Sequence, residues 1–213
     1  MFGGRALKNV VTVRYSKREY EGIEKELLEM LSPYFKNINT PYYYSNEEDF
    51  GDIDIVCAND DRDGEDIRKM IEDKFNPNEI VHNDRCWSFD YKKFQVDLIK
   101  VKEEYFDTKL FYMHYNDLGN LIGGLCKNLN LKYGEKGLCI DLYYKEDKIK
   151  NNLVISKDHR KIFEFLGLSY DRWLEGFDDL EDIFEFVYSS PYFCYDNYQI
   201  KNLNRINRER NKK

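Results

Sequence analysis

The sequence predicts an α+β fold, with a small mixed β-sheet and helices, then a second α/β region, then a helical C-terminal extension. Segments of helical period alternate with short apolar strands over the first hundred residues, a hairpin pattern follows, and helical patterns return from Glu103 onward. A chain of 213 residues that is 42% hydrophobic can build one domain or two small ones. We therefore predict three regions, 1–102, 103–175 and 176–213.

The first region is predicted to contain two helices and a sheet. Ser16 is suited to be the N-cap of a helix that ends at Ser32-Pro33, and a second amphipathic helix follows Gly64 and ends at Asn76-Pro77. Apolar runs bounded by turn residues predict the strands. These are a short strand or extended arm over 10–15, strands over 42–45 and 50–58, and a hairpin formed by 79–89 and 94–101.

The later regions are predicted to contain further helices and two strands. Helical spacing indicates helices near 105–111 and over 117–129, and apolar runs indicate strands over 138–144 and 153–155. Ser156 can cap a helix that runs to Gly167. A last helix is expected over 178–188, followed by a polar, basic tail.

The composition is that of an acidic globular protein. A formal net charge of -7 argues against a surface that binds duplex nucleic acid everywhere. The basic tail Lys201–Lys213 could contact phosphates locally, or it could be a solvated end. Because no apolar run approaches the ~20 residues that span a bilayer and the N-terminus lacks a signal-peptide core, we expect an intracellular monomer without membrane contact. The cysteines lack ligand spacing and are expected to be free thiols, with Cys57 packed in its strand.

Asp52 and Asp54 are the residues around which we expect the function to be organised. Alternate residues of a strand lie on one face about 6.6 Å apart, so the two carboxylates stand together while the apolar residues between them enter the core. The strand over 94–99 adds one acid, Asp97, among apolar residues. Three such carboxylates could hold two Mg²⁺ ions, the arrangement used for in-line attack on phosphorus. A single Asp-x-Asp pair could also be merely a solvated strand end.

These segments resemble the nucleotidyltransferase superfamily and, more closely, the family X DNA polymerases typified by DNA polymerase beta. The likeness is carried by Gly51-Asp52-Ile53-Asp54 and by the run from Val96 to Asn120. Within that run, Tyr112-Met113-His114-Tyr115-Asn116-Asp117-Leu118-Gly119-Asn120 is similar to the family's Tyr-Phe-Thr-Gly-Ser-Asp-x-x-Asn segment. The resemblance implies a palm-like catalytic domain over 1–102, a thumb-like domain that binds nucleotide and nucleic acid over 103–175, and a minimal form without a lyase or helix-hairpin-helix region.

The resemblance also assigns the carboxylates to metal ions. Asp52 and Asp54 would bind both Mg²⁺ ions, for which Mn²⁺ could substitute, and Asp97 would complete the catalytic ion and activate a primer 3′-hydroxyl. The family places Gly-Ser and two basic residues before the acidic strand, where they hold the triphosphate. This chain keeps Ser45 but lacks the Gly and both bases. The bases that could compensate are Arg14, Lys17, Arg18 and those of the tail.

A second set of residues is implied to contact the nucleotide. Tyr112 would pack near the ribose of an incoming NTP or dNTP, with Asp117 and Asn120 under its base. Asp117 could also act as a helix N-cap, and the two roles are compatible. Met113 and Tyr115 replace the family's Phe and Gly, so sugar preference cannot be transferred.

Three functions are compatible with these residues. The first is Mg²⁺-dependent transfer of a nucleoside monophosphate from an NTP or dNTP to a nucleic-acid 3′-hydroxyl, as a polymerase or terminal transferase does. The second retains the metal chemistry but modifies a protein or small-molecule hydroxyl, which the acidic composition favours. The third is an inactive fold that serves as a binding module, because the loop at Ser45 lacks its phosphate-binding bases.

Overall fold

The computed structural model describes residues 6–143 and 150–199, which form two compact units. The first unit extends to Pro41 and resumes over Asn46–Leu110. The second contains Tyr42–Ser45 and the described residues from Phe111 onward. A four-residue segment from the first half of the chain therefore belongs to the second unit. The three functional regions expected from the sequence stay a prediction.

The first unit contains a mixed five-stranded sheet and two complete helices. Its strands are β1 (Tyr15–Ser16), β2 (Asn37–Asn39), β3 (Asp49–Phe50), β4 (Asp52–Ala58), β5 (Ile80–Asn83), β6 (Cys86–Tyr91) and β7 (Phe94–Val101). Its helices are α1 (Lys17–Leu31) and α2 (Gly64–Phe75), and α3 (Phe106–Met113) continues into the second unit. The sheet order is β2-β4-β7-β6-β5, and β1 and β3 form a separate ribbon. β4 and β7 are parallel and the other neighbours in the sheet are antiparallel, so the predicted α+β class is confirmed.

Both complete helices begin at the capping residues that the sequence contains. The backbone N–H and the hydroxyl of Ser16 donate to the Glu19 carboxylate at 2.8 and 2.6 Å at the start of α1. The Asp63 carboxylate accepts two backbone N–H groups at the start of α2. Asn76, with φ of 41°, ends that helix in the left-handed conformation. The predicted positions of both helices are confirmed.

The two faces of the five-stranded sheet differ in polarity. On the apolar face, the ring of Phe75 from α2 lies 5.0 Å from that of Phe89, and the ring of Tyr20 from α1 lies 6.4 Å from that of Phe94. Successive residues of a strand alternate between faces, so the opposite face receives a set of polar side chains. They include Asp52, Asp54, Ser88, Asp90, Gln95 and Asp97.

The second unit contains a three-stranded antiparallel sheet and a group of helices around an aromatic core. Its strands, in the order β10-β9-β8, are β8 (Leu131–Gly134), β9 (Gly137–Tyr143) and β10 (Lys150–Ser156). Its complete helices are α4 (Leu118–Lys127), α5 (His159–Phe165), α6 (Tyr170–Leu174) and α7 (Leu180–Tyr188). Tyr44 is buried in this core and its hydroxyl donates to the carbonyl of Tyr115 at 3.0 Å. Throughout the described ranges, no helix has the length and apolarity that crossing a bilayer requires.

Three local predictions are wrong. The strand predicted over 50–58 is divided at Gly51 into β3 and β4, which belong to different sheets. The segment 42–45 is not a strand, because its backbone bonds inside the second unit, where the Tyr115 N–H donates to the Tyr42 carbonyl at 2.8 Å. The single strand predicted over 79–89 is interrupted at Asp84, whose φ of 55° turns the chain between β5 and β6. The short elements β2, β8 and α6 were not predicted, and β1 begins only at Tyr15.

Candidate functional site

The structure brings the three predicted carboxylates together on the polar face of the sheet. Asp54 on β4 is the direct parallel partner of Asp97 on β7, and Asp52 lies two residues before Asp54 on the same face. Neighbouring strands are about 4.8 Å apart, and residues two apart on one strand about 6.6 Å. All three side chains are half-buried. The parallel pairing of β4 with β7 is therefore what joins an Asp-x-Asp pair to an acid 43 residues later in the chain, counted from Asp54 to Asp97.

The electrostatics of this cluster are those of acids held close together with limited solvent. Burial raises the pKa of Asp54 to about 7, and the charges of Asp97 and Asp52 add to the effect. Burial also raises the pKa of Asp97 to about 6, together with the charge of Asp52 and against the hydrogen bond from Ser88. The cluster is thus hard to ionise fully at neutral pH unless a cation is bound nearby.

Gln95 and Ser88 hold Asp97 from two sides. The Gln95 side chain is 1% exposed, and its Nε2 donates to Oδ1 and Oδ2 of Asp97 at 3.1 and 3.0 Å. Its Oε1 in turn accepts the backbone N–H of Ala6 at 3.0 Å. Ser88 on β6 is the cross-strand partner of Asp97 and hydrogen-bonds to its carboxylate. The sequence analysis missed both residues. Gln95 could have been found because it lies two residues before Asp97 on the same strand, and Ser88 because the predicted hairpin pairs its strand with that of Asp97.

Two basic side chains of the first unit, Lys109 and Arg14, interact electrostatically with the carboxylates. Lys109 on α3 opposes the rise in the pKa of Asp54, so its positive charge acts on this carboxylate. Arg14 donates from Nε to Oδ1 of Asp49 at 2.8 Å. This hydrogen bond, with the charges of Asp49, Glu47 and Asp52, raises the pKa of Arg14. Arg14 was among the expected phosphate ligands, whereas Lys109 was missed because nothing in the local sequence links it to Asp54.

The chemistry of the donors fits a hard divalent cation, although their arrangement is not yet a coordination shell. Within 6–143 and 150–199, no three Asp, Glu, His or Cys side chains are already arranged to hold a metal ion. The hydrogen bonds from Gln95 and Ser88 engage the Asp97 carboxylate, and mutual repulsion disfavours convergence of all three acids. Oxygen-only ligands with raised pKa values are what Mg²⁺ or Mn²⁺ would stabilise in their ionised form.

Three of the predicted nucleotide contacts lie together in the second unit. The Tyr112 hydroxyl donates to Oδ1 of Asn120 at 2.8 Å. Burial and then the negative charge of Asp117 raise the pKa of Tyr112. Asp117 occupies the N-cap position of α4, as the alternative interpretation expected, but its side chain makes no capping hydrogen bond. Gly119 permits this arrangement, because a Cβ there would lie 2.2 Å from the Tyr112 carbonyl oxygen. This combination forms a polar and aromatic patch with Asp117 and Asn120 exposed.

Ser45 also lies in the second unit, where it is already bonded. Its hydroxyl donates to the Asp178 carboxylate, and its backbone N–H donates to the Phe177 carbonyl at 3.0 Å. A carboxylate partner is unfavourable next to a phosphate, since both are anions. The basic tail that could compensate lies outside the described residues.

His114 has a structural role in the second unit. It is 6% exposed, and its Nδ1 accepts the backbone N–H of Tyr42 at 2.7 Å. Burial lowers the pKa of His114 to about 3, so the ring is neutral at physiological pH. His114 therefore packs inside the second unit, although it belongs to the segment from Tyr112 to Asn120 that is similar to the family's.

Comparisons with known proteins do not identify the chain. No protein-family model matches it, and no curated protein matches it. The resemblance to family X DNA polymerases rests on the quoted residues alone.

Proposed function

We propose that this protein is a Mg²⁺-dependent nucleotidyltransferase that moves a nucleoside monophosphate from an NTP or dNTP to a nucleic-acid 3′-hydroxyl. The observation that carries the proposal is that Asp52, Asp54 and Asp97 lie on one face of a parallel strand pair. Acids without function are usually solvated, yet these three are half-buried beside one another, and the pKa values of Asp54 and Asp97 are raised. A bound divalent cation would offset that unfavourable arrangement.

The proposed roles of the three carboxylates are those that the resemblance implies. Asp52 and Asp54 would hold two Mg²⁺ ions and Asp97 the catalytic one. When bound, these ions supply Lewis-acid stabilisation of the α-phosphate and of the leaving pyrophosphate. The bond formed joins the 3′-oxygen to the α-phosphorus, the bond broken releases pyrophosphate, and Asp97 is the base proposed to take the hydroxyl proton. Gln95 orients that base through two hydrogen bonds.

The patch formed by Tyr112, Asp117 and Asn120 is the proposed nucleotide platform. The Tyr112–Asn120 hydrogen bond fixes an aromatic ring against which a ribose can pack. The neighbouring amide and carboxylate could discriminate polar groups of a base. Arg14 donates a hydrogen bond to Asp49, and the charge of Asp52 adds to the rise in its pKa. It is the proposed phosphate contact that replaces the family's missing bases.

Two alternatives are each favoured by one observation. The net charge of -7 favours transfer to a protein or small-molecule hydroxyl over transfer to a polyanion. The hydrogen bond between Ser45 and Asp178 favours a binding module, because it occupies the serine that the family uses for phosphate.

A labelling experiment separates these functions. Labelled NTP and dNTP mixtures, with Mg²⁺ or Mn²⁺, are offered a primed template, a bare single strand, or no nucleic acid. Extension of either strand supports the proposal. Label retained on the protein alone supports transfer to a protein hydroxyl. The absence of label in every lane supports the binding module. Asp97→Asn should abolish labelling, whereas Asp73→Asn makes the same charge change on the exposed face of α2 and should not.

A further inference from the structure

Helix α7 presents an exposed apolar stripe that the proposed catalytic function does not use. Leu180, Phe184 and Tyr188 follow one another at four-residue spacing and are 46%, 44% and 70% exposed. Residues at this spacing lie on one side of a helix. Large apolar side chains in such a row are typical of a binding face rather than of isolated surface residues.

The buried side of α7, next to the stripe, fixes the stripe in place. Ile183, Phe186 and Val187 are buried in the core of the second unit. The helix begins at Asp179, whose carboxylate accepts the Asp182 N–H at 3.0 Å. A helix that is capped and anchored in this way offers a preorganised face, which reduces the entropy lost when a partner binds.

The charged side chains of α7 itself are all acidic. Glu181 and Glu185 are exposed and lie three residues before Phe184 and Tyr188, a spacing at which helical side chains are neighbours, so they border the stripe. The sequence from Trp173 to Gln199 contains no Lys or Arg. The preceding base, Arg172, is bonded to Asp182 and to the Gly176 carbonyl. This face is therefore apolar in the middle and acidic along one edge.

We propose that the α7 face defined by Leu180, Phe184 and Tyr188 docks a basic amphipathic helix of a partner protein. Apolar anchors at helical spacing on the partner would cover the stripe, and Lys or Arg beside them would meet Glu181 and Glu185. A second copy of this face would bring acidic edges together. Nucleic acid and anionic lipid are disfavoured by the same charge.

The probe is a labelled helical peptide with Leu at every i, i+4 and i+8 position and Lys on the flanking positions. Its binding to the full-length protein is measured by fluorescence anisotropy, against a scrambled peptide of the same composition. We expect the amphipathic peptide to bind at least about tenfold more tightly than the scrambled one. Phe184→Ser and Glu185→Lys should each weaken it by about tenfold, which corresponds to ~1.4 kcal/mol.

Matched variants distinguish docking from general stickiness. Leu142→Ser removes an apolar side chain that is 48% exposed on β9, and Asp73→Lys makes the same charge reversal on α2; neither should change the affinity. Circular dichroism melts establish that each variant is folded. Equal loss in Asp73→Lys and Glu185→Lys would reduce the interaction to net charge and overturn the proposal.

Two other occupants of the face would also overturn it. Self-association of the wild type in analytical ultracentrifugation that Phe184→Ser abolishes would assign the face to a second copy of the chain. Binding of the peptide only after Arg205, Arg208 and Arg210 are replaced by Gln in the full-length chain would assign the face to the protein's own basic tail.

Discussion

Replacing Asp54 by Asn should stabilise the metal-free protein while removing the proposed metal site. Holding the pKa of Asp54 at about 7, against about 3.9 in an unfolded chain, costs up to ~4 kcal/mol of unfolding free energy once the group is ionised, since a tenfold change in proton affinity is worth about 1.36 kcal/mol. The amide needs its own hydrogen-bond partners, which reduces the expected gain to about 1–3 kcal/mol. For a chain of this size the gain corresponds to roughly 3–10 °C in Tm.

The sign of the pH dependence provides the sharper test. Between about pH 4 and pH 7 the folded state binds more protons at Asp54 than the unfolded state does, so the stability contributed by this group falls as pH rises. Urea unfolding followed by circular dichroism should therefore give Asp54→Asn a larger free energy of unfolding than wild type at about pH 7.5 and an equal one near pH 4. Asp73→Asn is the control. A gain no larger than that of the control, or one that persists unchanged at low pH, would refute the electrostatic account.

Three further predictions concern the contacts around the carboxylate cluster and around the patch formed by Tyr112, Asp117 and Asn120. Gln95→Ala removes the two hydrogen bonds that orient the Asp97 carboxylate, and we expect Mg²⁺ affinity, measured by calorimetry or by thermal shift, to fall about 10–100-fold; unchanged affinity would remove Gln95 from the site. Gly119→Ala forces a Cβ against the Tyr112 carbonyl and should lower stability by more than about 2 kcal/mol. Gly22→Ala in α1 meets nothing and should raise stability by about 0.5–1 kcal/mol; similar effects in both melts would contradict this steric argument. Tyr112→Phe should raise the nucleotide KM with little change in kcat, because it removes an orienting hydroxyl and no catalytic group; a change in kcat alone would point to a different role.

The residues of the carboxylate cluster could be predicted because their pattern is local. Asp52 and Asp54 alternate with apolar residues, which defines both the strand and the face. The direct pairing of Asp54 with Asp97 depends instead on β7 lying next to β4 in parallel, a consequence of sheet order. Lys109 could not be predicted from the sequence, because it lies on a helix after the sheet and acts on Asp54 only through the folded structure.

The errors arise where distant partners override local preference. The segment Tyr42–Ser45 is rich in tyrosine, a strand-forming residue, yet Tyr44 is buried in a core formed by much later residues. No property of the segment itself encodes those partners. The turn at Asp84 is different, because Asn and Asp tolerate positive φ, and the pair Asn83-Asp84 could have indicated it.

The placement of Tyr42–Ser45 constrains how the chain can be divided. A fragment that ends at Leu110 would carry Tyr44 without the carbonyl of Tyr115, to which its hydroxyl donates. A fragment that starts at Phe111 would lack the aromatic side chain that fills this part of its interior. Neither half is therefore a self-sufficient piece for expression, and the two halves expressed together should stay associated until denatured.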